Sequence, residues 1–273
     1  MSIEEINQLY IKRHILRRGI FGDKPYANYG YWEQPGMTID QACDAMTDLV
    51  ARAAGIGPGQ RILECGCGYG AAAVYYTSKY QPAEVIGVDA TTIRVQEAVD
   101  YVRRHGLEDR IQIRLGDATQ LDFQPGVFDR VIAMECAFHF STRQDFFGEA
   151  FRVLKPGGML VTTDIIQSAE ISKSRPTLER MRHLLGADQK MIMSENIYDA
   201  EVYEAYLHDA GFEAIRILSI KERVIRQFAD HLERVALTVD DDRRELGLAA
   251  AQSFRTDLML GGDYVLVTAR KPQ

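Results

Sequence analysis

The sequence predicts an α/β fold, a mostly parallel sheet flanked by helices. Three observations carry this expectation. From Arg61 onward, short apolar strands alternate with helices, the pattern of right-handed parallel crossovers. The first strand runs directly into a glycine turn, "GCGYG", that opens a helix. After about residue 168 the alternation lapses, which leaves two later strands to pair antiparallel at one sheet edge.

The elements follow in order. Residues 1 to about 37 read as an amphipathic helix and then the aromatic stretch "PYANYGYWEQPG". A helix capped by Thr38 or Asp40 runs to about Ala54 and stops at "GIGPGQ". "RILEC" is a strand, "GCGYG" its turn, and "AAAVYYTSKY" a helix. "AEVIGVD" is a strand that ends in an acid. "TIRVQEAVDYVRRHG" is a helix with basic residues in its last turn and a glycine stop, as the helix dipole favours. "RIQIRLGD" and "FDRVIAMEC" are strands, "TRQDFFGEAFRVL" a helix closed by "KPGG", and "MLVTTDII" the next strand. Residues from about 168 to 196 are polar without a clean period. "DAEVYEAYLHDAG" is a helix, "FEAIRILSIKERV" a strand, about 225–260 a long helical stretch, and "GDYVLVTARK" the last strand.

A chain of 273 residues, 46% hydrophobic and 26% charged, suits one α/β domain with insertions. The expectation is a single domain over 1–273, with lids at 1–37 and near 168–196 and 225–260. Met181, Met191 and Met193 would line an adaptable acceptor pocket or simply fill core. A net charge of −7 repels nucleic acid and anionic lipid. Arg17-Arg18 and Arg243-Arg244 are too short to make an opposing basic patch. No apolar run reaches membrane-spanning length, and "MSIEEINQLY" has no signal-peptide core, so a cytoplasmic protein is expected. Assembly as a homo-oligomer is left open. Cys43, Cys65, Cys67 and Cys136 form no C-x-x-C pair, which argues for free thiols over a disulfide scaffold or zinc knuckle.

The glycine turn brings a ligand close to backbone. Gly66, Gly68 and Ala71 would pass as a dinucleotide fingerprint, but Glu64, two residues before the first glycine, would repel a pyrophosphate. A carboxylate there suits a ligand that carries positive charge. Gly70 extends the pattern to E-x-G-x-G-x-G. Asp89 ends the second strand, 19 residues after Gly70, where an acid accepts ribose hydroxyls. Asp117, in "LGDA", either accepts from an adenine amino group or only forms a surface turn.

The ordered set "ILECGCGYG", "VIGVD", "LGDA", "FDRVIAMECAFHF" and "FRVLKPGGML" resembles the class I S-adenosylmethionine-dependent methyltransferases. The likeness covers about Arg61 to Ile166, and the ending "YVLVTARKP" also suits it. "ANYGYW", "GLEDR" and "AFHFSTRQDFFGEAFRVLKPGG" further resemble small-molecule natural-product methyltransferases of the macrolide-sugar O-methyltransferase type. The resemblance implies a Rossmann-like seven-stranded sheet in the order 3-2-1-4-5-7-6, with strand 7 antiparallel. It implies S-adenosylmethionine as cofactor, a ligand with a sulfonium, an ammonium and no phosphate. Glu64, Gly66, Gly68, Gly70, Asp89, Ala90, Asp117, Ala118 and Glu135 would hold it. The motif of adenine and glutamine N-methyltransferases is absent, so a small-molecule acceptor is expected rather than DNA or a protein amide.

Methyl transfer to an alcohol needs alignment, exclusion of water and a base for the departing proton. His139 follows the fourth strand, whose carboxyl end faces the ligand crevice of an open α/β sheet, and is the expected base. Packing between Phe138 and Phe140 is its plainer alternative. A metal held by Glu135, Asp164 and His139 has no recognised ligand spacing, so no metal is expected. Cys136 is expected to be apolar filler. The aromatic stretch would either clamp the N-terminal helix onto the domain or act as a lid, with Tyr29 or Tyr31 reaching the cofactor carboxylate or the acceptor. Tyr29 is the candidate to pair with His139 as a latch, as the likeness to phosphoethanolamine methyltransferases implies. Methylation at nitrogen or carbon stands as an alternative, with Glu135 steadying a cation in the carbon case. So does a methyltransferase-like fold used as a non-methylating cyclase or binding subunit.

Overall fold

The computed structural model describes residues 22–167, 194–239, 241–259 and 261–273. The helix expected before residue 22, and Met181, Met191 and Met193, lie outside the described residues.

Among the described residues, seven strands form one sheet in the order β3-β2-β1-β4-β5-β7-β6. β1 (Arg61–Cys65), β2 (Glu84–Asp89), β3 (Ile111–Leu115), β4 (Phe128–Met134) and β5 (Leu154–Gln167) run parallel. β7 (Gly262–Arg270) inserts antiparallel between β5 and β6 (Glu213–Ser219). This is the Rossmann-like order anticipated above.

The strands read as continuous apolar runs because both sheet faces are covered. Ile62, Val85, Ile132 and Val161 point into one core, beneath α1 (Ile39–Ala54), α2 (Ala71–Tyr80), α3 (Thr92–Arg104) and α6 (Ile225–Ala236). Their neighbours Leu63, Ile86, Val131 and Leu160 point into the other, beneath α4 (Arg143–Val153) and α5 (Ala200–Asp209). Each such side chain contributes roughly 1.5–3 kcal/mol by leaving water. α7 (Asp241–Met259) reaches the first core through Ala251. Among the described residues no helix is long and apolar enough to cross a membrane.

Several boundaries differ from expectation for identifiable reasons. Thr38, not Asp40, caps α1. It forms a capping box in which Thr38 Oγ1 accepts from Gln41 N and Gln41 Oε1 accepts from Thr38 N. Asp40 instead accepts from the amides of Asp23 and Lys24 and ties the N-terminal stretch to α1. "KPGG" is not a turn outside the sheet but a bulge within β5: pairing with β4 jumps from Phe128–Leu154 to Arg130–Met159. Gly157, at φ +74°, donates from that bulge to the carbonyls of Lys271 and Pro272. The long helical stretch divides into α6 and α7. β6 stops at Ser219, and Lys221–Arg223 forms a 3-10 turn.

Candidate active site

β1 and β2 place their acids at the same end of the sheet. Glu64 lies in β1, next but one to the glycine turn, and is 2% exposed. Burial, and then the charge of Asp89, push its carboxyl up to about 8. Its Oε2 is buried with no hydrogen-bond partner among the described residues. A buried carboxylate oxygen without a donor is costly unless a ligand brings one. Asn28 shows the converse: among the described residues its Nδ2 donor is buried without an acceptor while its Oδ1 accepts from Gly30 N.

The turn between β1 and α2 is glycine for two separate reasons. A Cβ on Gly66 would stand 2.6 Å from Cys136 Sγ and 3.9 Å from Phe140, so only glycine lets the turn lie against the segment after β4. Gly68, at φ +56°, has nothing among the described residues within 4 Å of its Cβ position, so open space lies beside the turn. Gly70 caps α2 in the left-handed conformation and packs on Ala98 of α3.

Asp89 ends β2 and is 5% exposed. Its Oδ2 accepts from Gly68 N and its Oδ1 from Thr91 N, both at 2.9 Å, while Arg94 Nη1 lies 4.0 Å away. An ionised carboxylate has about four acceptor positions, so two remain for ligand hydroxyls. Ala90, half-buried, follows it. Asp117, after β3, is half-buried and accepts through Oδ1 from both Thr119 N and Thr119 Oγ1 at 2.8 Å. That oxygen is engaged within its own turn. Ala118 is buried in the second core. Thr119 Oγ1 in turn reaches Ser141 Oγ at 3.3 Å, which joins this loop to the chain after β4.

β4 ends at Met134, and Glu135 turns away at φ +56°, a left-handed position uncommon for a side-chain-bearing residue. Glu135 Oε2 accepts from Tyr264 Oη at 2.6 Å and from Tyr29 N at 3.0 Å. Loss of water pushes its carboxyl up to about 8, against the lowering effect of these two donors. Thr163 Oγ1 lies 3.3 Å from Tyr264 Oη and donates to it, since the single phenol hydrogen is given to Glu135. The end of β4, the start of β7 and the N-terminal stretch thus meet at one carboxyl group. The Tyr29 ring stacks on Phe228 of α6 at 4.7 Å and meets Phe254 of α7 edge-on at 4.8 Å. Its link to Glu135 runs through its backbone amide.

Cys136 donates to Cys65 O at 3.1 Å, and burial pushes its thiol up, away from the reactive thiolate. Ala137–His139 then form a 3-10 turn. His139 is 8% exposed, and its ring lies 4.2 Å from that of Phe138.

Asp164 does not join Glu135 and His139. It is fully buried and held by Arg143 Nε and Nη2 at 2.8 and 2.9 Å, by Tyr203 Oη at 3.0 Å and by Ile165 N. Among the described residues no three His, Cys, Asp or Glu side chains come together as metal ligands. The structure thus gathers Glu64, the glycines and Asp89 on one side, and Glu135, Tyr29 and the His139 turn on the other. Cys136 and Phe140 pack the two sides together. Tyr264, Asn28 and the Arg143–Asp164–Asn196 group were not found from sequence. The partners of Tyr264 and of the Arg143–Asp164–Asn196 group lie far along the chain, and no local pattern marks these residues or Asn28.

Residues 63–162 match the family described as methyltransferase domain. The chain belongs to the class I S-adenosylmethionine-dependent methyltransferases, and S-adenosylmethionine is its cofactor. It is 33% identical to the erythromycin 3''-O-methyltransferase of Saccharopolyspora erythraea, over 90% of this chain and 84% of that one. It is 27% identical to the 27-O-demethylrifamycin SV methyltransferase of Amycolatopsis mediterranei, over 90% and 89%. Among solved structures it is similar to the cyclase SpnF, with a TM-score of 0.79 and 27% identity over 100% and 97% of the two chains. The chain is therefore an S-adenosylmethionine-dependent methyltransferase, similar to enzymes of the natural-product type. The partnerless Oε2 of Glu64 and the open space beside Gly68 fit a cofactor with a cationic methionine arm.

Proposed function

We propose that this enzyme methylates a hydroxyl group of its natural-product acceptor, with His139 as general base. The observation that carries this reading is the seat of His139, a buried imidazole on a short turn packed against the glycine loop through Cys136 and Phe140. Support for an oxygen acceptor comes from the erythromycin and rifamycin relatives, whose names specify O-methylation.

S-adenosylmethionine, when bound, supplies a methyl group on a positively charged sulfur. Glu64 receives the ammonium of its methionine arm. Asp89 takes ribose hydroxyls with the acceptor positions that Gly68 and Thr91 leave open. Gly66, Gly68 and Gly70 shape the loop, and Ala90, Asp117 and Ala118 border the base. Glu135 lies beside the methyl-transfer site, held by Tyr264 and by Tyr29. The stretch around Tyr29 covers that site and excludes water. His139 would accept the proton of the acceptor hydroxyl on a ring nitrogen.

The test is a screen of candidate alcohols for release of S-adenosylhomocysteine, followed by His139→Ala with the acceptor found. Turnover should fall roughly 10²–10⁴-fold, while the cofactor Kd from calorimetry changes less than about twofold. Full turnover of the variant removes the base assignment. One observation favours a second reading, the likeness to the cyclase SpnF. Product formation without S-adenosylhomocysteine would establish that reading instead.

A further inference from the structure

Asn196 meets the site from the distal part of the chain, and the reaction described above makes no use of it. It ends a 3-10 turn, Ser194–Asn196, and is 1% exposed. Its Nδ2 faces three backbone carbonyls: Ala137 at 3.5 Å, Phe138 at 3.3 Å and Phe140 at 3.0 Å. These flank His139 on both sides. Its Oδ1 accepts from Arg143 N at 2.9 Å, at the start of α4. The Arg143 guanidinium holds the other end: it donates to the carbonyl of Asn196, to that of Ile165 at 2.6 Å, and to both oxygens of Asp164. Asn196 is thus fixed to the end of β5 through its backbone and to the His139 turn through its side chain.

A three-residue 3-10 turn has little stability of its own. Here its own bonds are His139 N to Cys136 O at 2.9 Å and Phe140 N to Ala137 O at 3.2 Å. Buried carbonyls need donors, and the conformation that satisfies them is the one the turn keeps. We propose that Asn196 is a positioning residue: its side-chain amide sets the Ala137–Phe140 turn and so the direction of the His139 imidazole. This deepens the assignment of His139 as base and rests on it.

The test uses Asn196→Ala and Asn196→Asp. The aspartate keeps an acceptor for Arg143 N and turns a carboxylate toward the three carbonyls. Leu207→Ala serves as a control, since it removes a fully buried side chain from α5. Two readouts are taken: turnover with the acceptor found by the screen, and the ¹H–¹⁵N resonances of the His139 ring, identified by their loss in His139→Gln. Both Asn196 variants should lower kcat about 10–100-fold with cofactor Kd within about twofold, and both should shift the His139 ring resonances. Added to His139→Ala, Asn196→Ala should cost less than about twofold more, because the group it positions is gone. Leu207→Ala should lower the melting temperature without either effect. If Asn196→Ala does not fold, Asn196→Asp carries the same readouts. Unmoved ring resonances, or an equal loss in the His139→Ala background, overturns the role of Asn196. Full turnover of His139→Ala overturns the base assignment alone, and the ring resonances still decide whether Asn196 places the imidazole.

Discussion

If Glu64 receives the cofactor's ammonium as proposed, its protonation state depends on that ligand. Burial and Asp89 push its carboxyl up to about 8, so in the ligand-free protein it is mostly protonated at pH 6.5. A cationic ligand favours the ionised form, so binding at that pH should release a proton. Affinity for S-adenosylmethionine should therefore rise with pH, by at most about tenfold per unit, and level near 8, where the ligand's own amine begins to lose its proton. Calorimetry at pH 6.5 in two buffers of different ionisation enthalpy measures the release directly. Identical heats in the two buffers would remove the argument. Glu64→Gln should abolish the release and weaken binding by roughly 1.5–3 kcal/mol, the worth of a hydrogen bond to a charged group. The sequence made Glu64 legible because its meaning is local: an acid two residues before a glycine turn after a strand. It did not make Asn28 or Tyr264 legible, since Tyr264 reaches Glu135 across 129 residues only when β7 inserts beside β5.

At the scale of elements, α4 begins with an anomaly. Arg143 places a positive charge in the first turn of the helix, where the helix dipole disfavours one. Its reason is tertiary: the guanidinium is fully buried against Asp164 of β5 and lies over the rings of Tyr198 and Tyr203. A buried pair of this kind is expensive to break from one side, because the remaining charge is left without water or partner. Arg143→Met should cost roughly 3–5 kcal/mol in urea-induced unfolding. Arg143→Met with Asp164→Leu should recover part of that loss. A single-variant cost under about 1 kcal/mol would show that Asp164 finds compensation elsewhere. The existence and type of the elements were legible because strand runs, glycine stops and caps are local signals. The bulge at Lys155–Gly158 was not, because pairing with β4 decides it, and the break between α6 and α7 falls within what the sequence presents as one continuous helical stretch.

At the scale of the molecule, strand order turns separate motifs into one site. β1 and β4 are neighbours in the sheet, so the glycine turn and the His139 turn emerge side by side although about 70 residues separate them in the chain. β7 inserts beside β5 and brings Tyr264 to the same end, while Tyr29 is clamped there by Phe228 and Phe254. The ligand site thus draws on both halves of the chain, and energy gained there is shared by both. Binding to the folded state alone stabilises by about 2.7 kcal/mol when S-adenosylmethionine is present at about 100 times its Kd. For a chain of this size, each kcal/mol moves the melting temperature by roughly 2–4 °C. Saturating cofactor should therefore raise the melting temperature by about 5–10 °C in differential scanning calorimetry. If 1–273 is one domain, the unfolding peak should be single with and without ligand and should move as a whole. Two resolved peaks, with only one shifted by S-adenosylmethionine, would divide the chain into a cofactor-binding unit and an independent remainder. The contacts of Glu135 with Tyr29 and Tyr264 predict against that division, because they tie the N-terminal stretch and the last strand to the end of β4.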